Sequence, residues 1–480
     1  MNLVTLSEFS SELVHSSLAR WAVQRADRVA IFDGHSPLSF AELHTKVEQA
    51  ALALGHARAP ATVLIDDKLP IPNQVIDFLA TIASGRCAAV TDPDWTDATR
   101  RAVLELLDTT PVSCGPPDPI TPFYVGFTSG STGLPKGFRR HHRSWVESFR
   151  MCAETFGPDA CSRLLVPGRV SHSLFLFGML FGLWSGAGVV VQERFSAAEL
   201  IDNLSQGDTP SLVAVPSQLL LLLELAARRH VAAMEGVRLI MIGGARWARE
   251  QTPALQALFP RARIIEFYGA SETSFISWMP ADAAVPVHVV GYPFANVDID
   301  IRNTQEPGGS GLIFVRSPMV FMDYVGGHRD ATAALREGDW TSVRDVGRFD
   351  EQGRLLLMGR QNRMIVAQGK NLFPEEVETV LAACPSVDMA SVHGLPHPVR
   401  GQQVVAIVRT KAGKAMVKNE LMNWCRERLE AHKVPRHVYV CDDWPWTASG
   451  KTDHGALTGA LDLMRDASSG TMSSCLRRLH

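Results

Sequence analysis

Thr128 to Gly137 reads TSGSTGLPKG, and the interpretation of these residues decides the reading of the chain. The preceding run Phe123–Phe127 (FYVGF) is aromatic and β-branched, which predicts a buried strand. The stretch itself holds glycines, hydroxyl residues, Pro135 and Lys136, with Leu134 its only large apolar side chain. Such a segment cannot build a core. It can turn backbone N–H groups, hydroxyls and an ammonium toward a polyanion, the glycines allowing close approach. A Walker A loop is excluded, because that motif needs Ser or Thr after Gly-Lys and Lys136 is followed by Gly137 and Phe138.

Outward from this loop the chain alternates strand and helix. Ser39-Phe40-Ala41-Glu42 is a capping box, followed by a helical face that Gly55 is expected to stop. Val63–Ile65 and Ala88–Val90 read as short strands flanking a helix. His142–Phe156 reads as a helix, Ser211–Val215 as a strand and Gln218–Arg229 as a helix. Val237–Ile242 is a strand leading into Gly243-Gly244, Trp247–Phe259 a helix and Ala262–Phe267 another strand. This order predicts an α/β fold with a largely parallel sheet, ligands sitting at the strand C-terminal ends. From Gly311 the texture changes to strands, then to short strands mixed with helices. A boundary is expected near Arg360–Arg363, dividing 1–361 from 362–480, and the tail after Leu457 reads as peripheral.

Composition narrows the function. At 480 residues the chain is long enough for several domains, and 46% hydrophobic with 20% charged residues is ordinary for a soluble protein. A net charge of −3 gives no case for nucleic acid or an anionic membrane. The eight cysteines show no CxxC spacing, a reduced, cytoplasmic pattern without a zinc site. The N-terminal MNLVTLSEFSSELVHSSL lacks a basic region and a long apolar run, so it does not read as a secretory signal. Leu174–Val191 is uncharged, but its glycines and β-branched end predict a buried helix running into a buried strand rather than a membrane span.

Three further stretches carry chemistry. In Glu266–Thr273 (EFYGASET) an aromatic after a strand can cover a flat base, and a carboxylate four residues on can hold Mg²⁺ against phosphate oxygens. Asp345 in the stretch Asp339–Phe349 suits two ribose hydroxyls, with Arg360 a cationic donor beside it. Thr447–Lys451 (TASGK) places a lysine on a small-residue loop. In order, TSGSTGLPKG, a His-bearing apolar stretch, YGASE, the Asp345 segment, GRxxxxIxxxGxxxxPxEVE and SGK resemble the adenylate-forming superfamily over residues 17–455. That superfamily includes acyl-CoA ligases, adenylation domains of peptide synthetases and luciferases.

The resemblance implies a large N-terminal domain of layered sheets and helices and a small mobile α+β C-terminal domain. It also implies a reaction in which a carboxylate and ATP give acyl-AMP and pyrophosphate, and a thiol then displaces AMP. By matching position, Thr128, Ser129, Gly130, Ser131, Thr132, Gly133 and Lys136 would hold the terminal phosphates. Tyr268 would stack on adenine with Gly244, Ala245 and Gly269 beside it, Ser271 would contact phosphate and Glu272 would hold Mg²⁺. Asp345 and Arg360 would bind ribose, and Lys451 would reach the α-phosphate and the acid's carboxylate. His172 would gate the acid pocket and Gly369 would line the tunnel for the pantetheine arm of coenzyme A.

The chain departs from the family pattern at Asn362, the hinge position, at Val366, and at Trp446. The pocket segment Ser171–Phe175 has no acid to pair with a substrate ammonium, which disfavours an amino acid. Leu174, Phe175, Phe177, Trp247 and Phe275 are expected to line an apolar pocket, with Arg246 and Arg249 facing either it or solvent. The reading is an acyl-CoA synthetase for a fatty or aromatic acid, using ATP, Mg²⁺ and coenzyme A. A ligase that loads a carrier protein is the alternative. An inactive nucleotide-binding relative is disfavoured by Lys136, Glu272, Asp345 and Lys451. Monomer and homodimer are equally compatible with the sequence.

Overall fold

The structure, a computed structural model, describes residues 13–107, 112–128, 135–304, 308–327, 333–367, 370–397, 401–414, 416–447, 451–466 and 476–479. The chain divides into two compact units. The first is Met1–Asp300 with Phe314–Val343 and Glu351–Leu355, and the second is Ile301–Ile313, Arg344–Asp350 and Leu356–His480.

In the first unit one sheet is built from β1 (Thr62–Ile65), β2 (Cys87–Val90), β3 (Pro122–Thr128) and β4 (Lys136–His141). β1, β2 and β3 run parallel, whereas β3 and β4 form an antiparallel pair in which Thr128 faces Lys136. The short strand Asp323–Tyr324 completes the outer edge beside β4. Phe123, Tyr124 and Val125 are fully buried, as the aromatic run predicts. Gly126 is required by packing: a Cβ there would lie 2.4 Å from the Phe138 ring. Helix α1 (His142–Phe156) leaves β4 directly and has the predicted bounds.

The second sheet of this unit holds β5 (Leu164–Val166), β6 (Val189–Val191), β7 (Ser211–Ala214), β8 (Leu239–Ile242), β9 (Arg263–Ala270) and β10 (Ser274–Pro280). The pairs β5–β6, β5–β7, β7–β8 and β8–β9 are all parallel, and only β9–β10 in this set is antiparallel. Between β5 and β6 lies α2 (Ser173–Trp184), buried along most of its length, so the uncharged stretch is a core helix followed by a core strand. Among the described residues no helix is long and apolar enough to cross a membrane.

Several local expectations are corrected. The capping box at Ser39 and Glu42 is present, but the helix continues past Gly55 to His56. Trp247–Phe259 is a single turn, Arg249–Gln251, and a short helix, Thr252–Leu258, because Pro253 fits only a first helical turn.

The second unit contains β11 (Asp345–Phe349), β12 (Leu355–Arg360), α3 (Pro374–Ala382), β13 (Val387–His397), β14 (Gly401–Thr410), β15 (His437–Val440) and α4 (His454–Asp466). β13 and β14 make a long antiparallel ladder, and β15 adds parallel to β14. The tail is not merely peripheral. Leu461 is buried on α4, and Arg477–Arg478 pair with β15, because Leu476 and Leu479 have apolar partners to reach.

Candidate active site

The strand order puts several predicted residues at strand C-terminal ends. Thr128 closes β3 opposite Lys136, whose side chain is buried. Ser129, Gly130, Ser131, Thr132 and Gly133 lie outside the described residues, and so does Gly369. Gly244 and Ala245 follow β8 and are exposed. Gly244 has φ +82°, a left-handed conformation suited to glycine.

The tight turn between β9 and β10 carries Ser271 and Glu272, with Gly269 and the half-buried Tyr268 on the end of β9 just before it. The register slips between Tyr268 and Gly269, a bulge that re-aims the strand end. Gly269 permits this closeness, since a Cβ would sit 1.9 Å from the Ser274 carbonyl oxygen. Inside the turn the Ala270 N–H donates to Thr273 Oγ1 at 3.2 Å. Glu272 is held twice: Tyr324 Oη donates to its Oε1 at 2.9 Å, and its carbonyl accepts the Phe321 N–H at 2.7 Å.

Arg140 on β4 holds the same turn from beneath. Its guanidinium donates to the Ser271 carbonyl at 2.7 Å, Ser274 Oγ at 2.6 Å, the Met319 carbonyl at 2.6 Å and Ser144 Oγ at 3.2 Å. The side chain is 1% exposed, and burial pulls its pKa down to about 9, with the Glu272 carboxylate pulling the other way. It stays a cation at neutral pH. Beside it, His141 caps α1 by accepting the Ser144 N–H on Nδ1 at 3.1 Å, which requires the neutral ring. Burial and the neighbouring Arg140 and Arg143 lower its pKa to about 4.

His172 precedes α2 and is half-exposed. Its loop is fixed by Arg169, which pairs with Asp94 at 2.6 Å and Asp92 at 3.6 Å, while Ser171 Oγ reaches Asp92. Ser173 Oγ lies 3.0 Å from Ser271 Oγ, joining the start of α2 to the Glu272 turn. One turn further along α2, Phe177 packs edge-on against Phe275 at 5.2 Å and touches Phe149 at 5.1 Å. Phe275 in turn meets Phe267 at 5.0 Å. A polar rim of hydroxyls and a carboxylate therefore stands over an aromatic floor.

In the second unit Asp345 opens β11 and Arg360 ends β12, with Arg360 Nε 3.2 Å from Asp345 Oδ1. Lys451 is exposed, its N–H donating to Thr447 Oγ1 at 3.1 Å and its carbonyl accepting the Thr447 N–H at 2.7 Å.

Two family patterns match this chain: AMP-binding enzyme over residues 61–325, and AMP-binding enzyme C-terminal domain over 376–451. The chain belongs to the AMP-binding enzyme family. A relative in Bacillus subtilis (strain 168), an uncharacterized acyl–CoA ligase, is 40% identical over 340 residues, 70% of this chain and 67% of its own length. The 2-succinylbenzoate–CoA ligase of the same organism is 30% identical over 339 residues, 68% of this chain and 66% of its own. The o-succinylbenzoate CoA synthetase structure from Bacillus subtilis, in complex with its acyl-adenylate intermediate, shares the fold at TM-score 0.79 and 23% identity, covering 92% of this chain and 97% of that one. ATP-bound MatB from Rhodopseudomonas palustris does so at TM-score 0.80 and 19% identity, covering 96% and 99%.

Of the residues expected to line the pocket, Trp247, Phe175 and Phe275 are all buried. Trp247 is buried among Leu255, Phe259 and their neighbours, its indole N–H donating to Thr252 Oγ1 at 2.9 Å. Phe175 is buried against Gly168, which must lack a Cβ to admit the ring. Arg249 faces neither pocket nor solvent: it is buried, paired with Glu266 at 2.6 Å and bonded to the carbonyls of Val285, Pro286 and Val289. Sequence reasoning missed Arg140 and Tyr324. The signal for Arg140 was the period of two in Phe138-Arg139-Arg140-His141-His142, whose alternate members Phe138, Arg140 and His142 are the buried ones.

Proposed function

We propose that this AMP-binding enzyme activates a monocarboxylic acid with an apolar, fatty or aromatic body as acyl-AMP, releasing pyrophosphate, and then transfers the acyl group to the thiol of coenzyme A. The observation that carries this reading is the Ser173–Ser271 hydroxyl pair beside the Glu272 turn at the C-terminal end of β9, with the Phe177–Phe275 contact next to it. The acyl–CoA ligase names of the relatives support the same activity.

In this reading the buried Lys136 ammonium neutralises the terminal phosphates of ATP, and Ser271 donates its hydroxyl to a phosphate oxygen. Glu272 offers a single carboxylate, and among the described residues no group of three or more His, Cys, Asp or Glu side chains could hold a metal. That donor set fits Mg²⁺, which takes one or two carboxylates plus substrate oxygens. Bound there, Mg²⁺ would offset the charge of the leaving pyrophosphate. Tyr268 covers the adenine, while Asp345 and Arg360 hold the ribose hydroxyls. An acid oxygen attacks the α-phosphorus, the bond to pyrophosphate breaks, and Lys451 stabilises the charge that builds on the attacked phosphate. The thiol sulfur then attacks the acyl carbon and AMP leaves. Residues 362–480 act as the mobile C-terminal domain that delivers Lys451, and the setting is cytoplasmic.

The Phe177–Phe275 contact favours an acid with an apolar body. Each added buried methylene contributes about 0.8 kcal/mol until the pocket is full. Acid-dependent ATP–pyrophosphate exchange across a homologous series of monocarboxylic acids should rise in kcat/KM with apolar size and then fall sharply. Amino acids and malonate should be poor throughout. With the best acid, coenzyme A should accept the acyl group. A preference for an amino acid or dicarboxylate refutes the pocket reading, and acceptance only by a holo-carrier protein refutes the acceptor.

A further inference from the structure

Close to Lys451 in the sequence lies a cluster that the reaction above does not use. Ser391 and His393 project from β13, His454 opens α4 three residues after Lys451, and Thr458 follows one turn later. His454 Nδ1 lies 2.7 Å from Ser391 Oγ, and Ser391 Oγ lies 2.8 Å from His393 Nε2. His393 Nδ1 is 3.1 Å from Thr458 Oγ1, which donates to the His454 carbonyl at 2.8 Å.

The donor inventory allows one proton order. The Thr458 hydroxyl spends its only hydrogen on the His454 carbonyl, so its oxygen accepts from His393 Nδ1–H. His393 then presents a bare Nε2, to which Ser391 donates. Ser391 Oγ in turn accepts from His454 Nδ1–H. These tautomers are assigned from the network, and they close a directed ring from α4 to β13 and back. His393 must be neutral to accept. The charged groups that face the ring are Arg363, Glu378 and Asp453. Burial and Arg363 hold His454 neutral against Asp453, and hold His393 neutral against Glu378.

The ring continues into a half-buried ion-pair line. Arg363, next to the hinge position Asn362, donates to Glu378 Oε1 at 2.6 Å and to Glu375 Oε1 at 2.9 Å. Glu378 Oε1 also accepts the Val392 N–H at 2.8 Å, between Ser391 and His393. On the far side the Trp444 indole N–H donates to Thr452 Oγ1 at 3.2 Å, and the Asp453 N–H to the Pro445 carbonyl at 3.0 Å. Thr452 and Asp453 are thus held by Trp444 and Pro445, and the following His454 by the ring.

We propose that the Ser391–His393–His454–Thr458 ring positions Lys451 by tying the segment Lys451–His454 to the Arg363 end of the unit. The proposal rests on the adenylation role given to Lys451. These four side chains touch no substrate in this account and are positioning residues.

The test uses the full-length enzyme and both half-reactions. Asparagine reproduces the Nδ1–H donor of His454, and alanine does not. His454→Ala should lower kcat for acid-dependent pyrophosphate exchange about 10- to 100-fold, the scale of a catalytic group displaced by about 1 Å. The KM for MgATP and the rate of thioester formation from supplied acyl-AMP should stay within about twofold, since neither needs the anchored lysine. His454→Asn should recover most of the exchange rate. Thr458→Val, at an exposed position, should give a smaller loss of the same kind, reversed by Thr458→Ser. Equal losses in both half-reactions, or exchange unchanged in both His454→Ala and Thr458→Val, would overturn the proposal. Wild-type enzyme with no acid-dependent exchange would instead refute the adenylation reading beneath it.

Discussion

The turn bearing Glu272 and the segment Lys451–His454 are both held by networks of polar side chains, but by opposite means. The Glu272 turn is gripped by a permanent cation, Arg140, whose four donated bonds gather β4, α1, the turn and the Met319 segment. The Lys451 loop is gripped by neutral imidazoles and hydroxyls arranged in one proton order. A cation is costly to bury, yet it reaches several carbonyls from one centre and does not depend on a tautomer. A neutral ring is cheap to bury, and it fails when one member gains or loses a proton. In the proposed reaction, the stronger grip falls on the turn that would face the phosphates and the direction-dependent anchor on the segment that would carry the lysine.

Replacing the cation should have the larger effect. Arg140→Met leaves the Ser271 and Met319 carbonyls buried without their donor, and should cost about 3–5 kcal/mol of stability, the scale of breaking a buried charged network. Arg140→Lys keeps the charge but loses the fork, so chemical denaturation should find it between the two, with KM for MgATP raised more than KM for the acid. A Met variant as stable as wild type would show that the turn holds itself.

Acid should act on the neutral anchors. His393 and His141 are held near pKa 4, and His454 and His142 near 3, chiefly by burial. Each is depressed below its unfolded value of 6.5, so below that pH the unfolded chain binds protons that the folded chain refuses. Stability is therefore full above pH 6.5 and is lost as pH falls toward 4, by at most about 1.4 kcal/mol per pH unit for each such group. Denaturation curves between about pH 7 and about pH 5 should show this slope, and His454→Asn should flatten it while Arg140→Lys leaves it unchanged. A slope indifferent to His454 would mean that its ring carries no linkage.

Much of this was legible in the chain. The FYVGF strand, the bounds of α1, the capping box at Ser39 and the parallel order of β7, β8 and β9 all follow from periodicity and local propensity. The turn of Glu272 was visible because glycine, hydroxyl and acid stand together in sequence. What escaped depends on single polar residues meeting from afar. Arg140 finds Ser271 and Met319 at separations of 131 and 179 residues, and Ser391 finds His454 at 63. No local pattern marks such pairs. Trp247 misled for a related reason: its place beside Gly243-Gly244 suggests a pocket wall, but its ring turns into the apolar cluster behind the sheet.

In the proposed reaction this chain forms acyl-AMP with Lys451 as the charge-stabilising group. The most direct test is single-turnover analysis of ATP and a preferred apolar acid without coenzyme A, in wild type and Lys451→Ala. Wild type should release pyrophosphate and acyl-AMP in equal amounts, and the variant should form them about 10²- to 10³-fold more slowly while still converting supplied acyl-AMP to thioester. Release of ADP and phosphate, or equal damage to both half-reactions in the variant, would contradict the account.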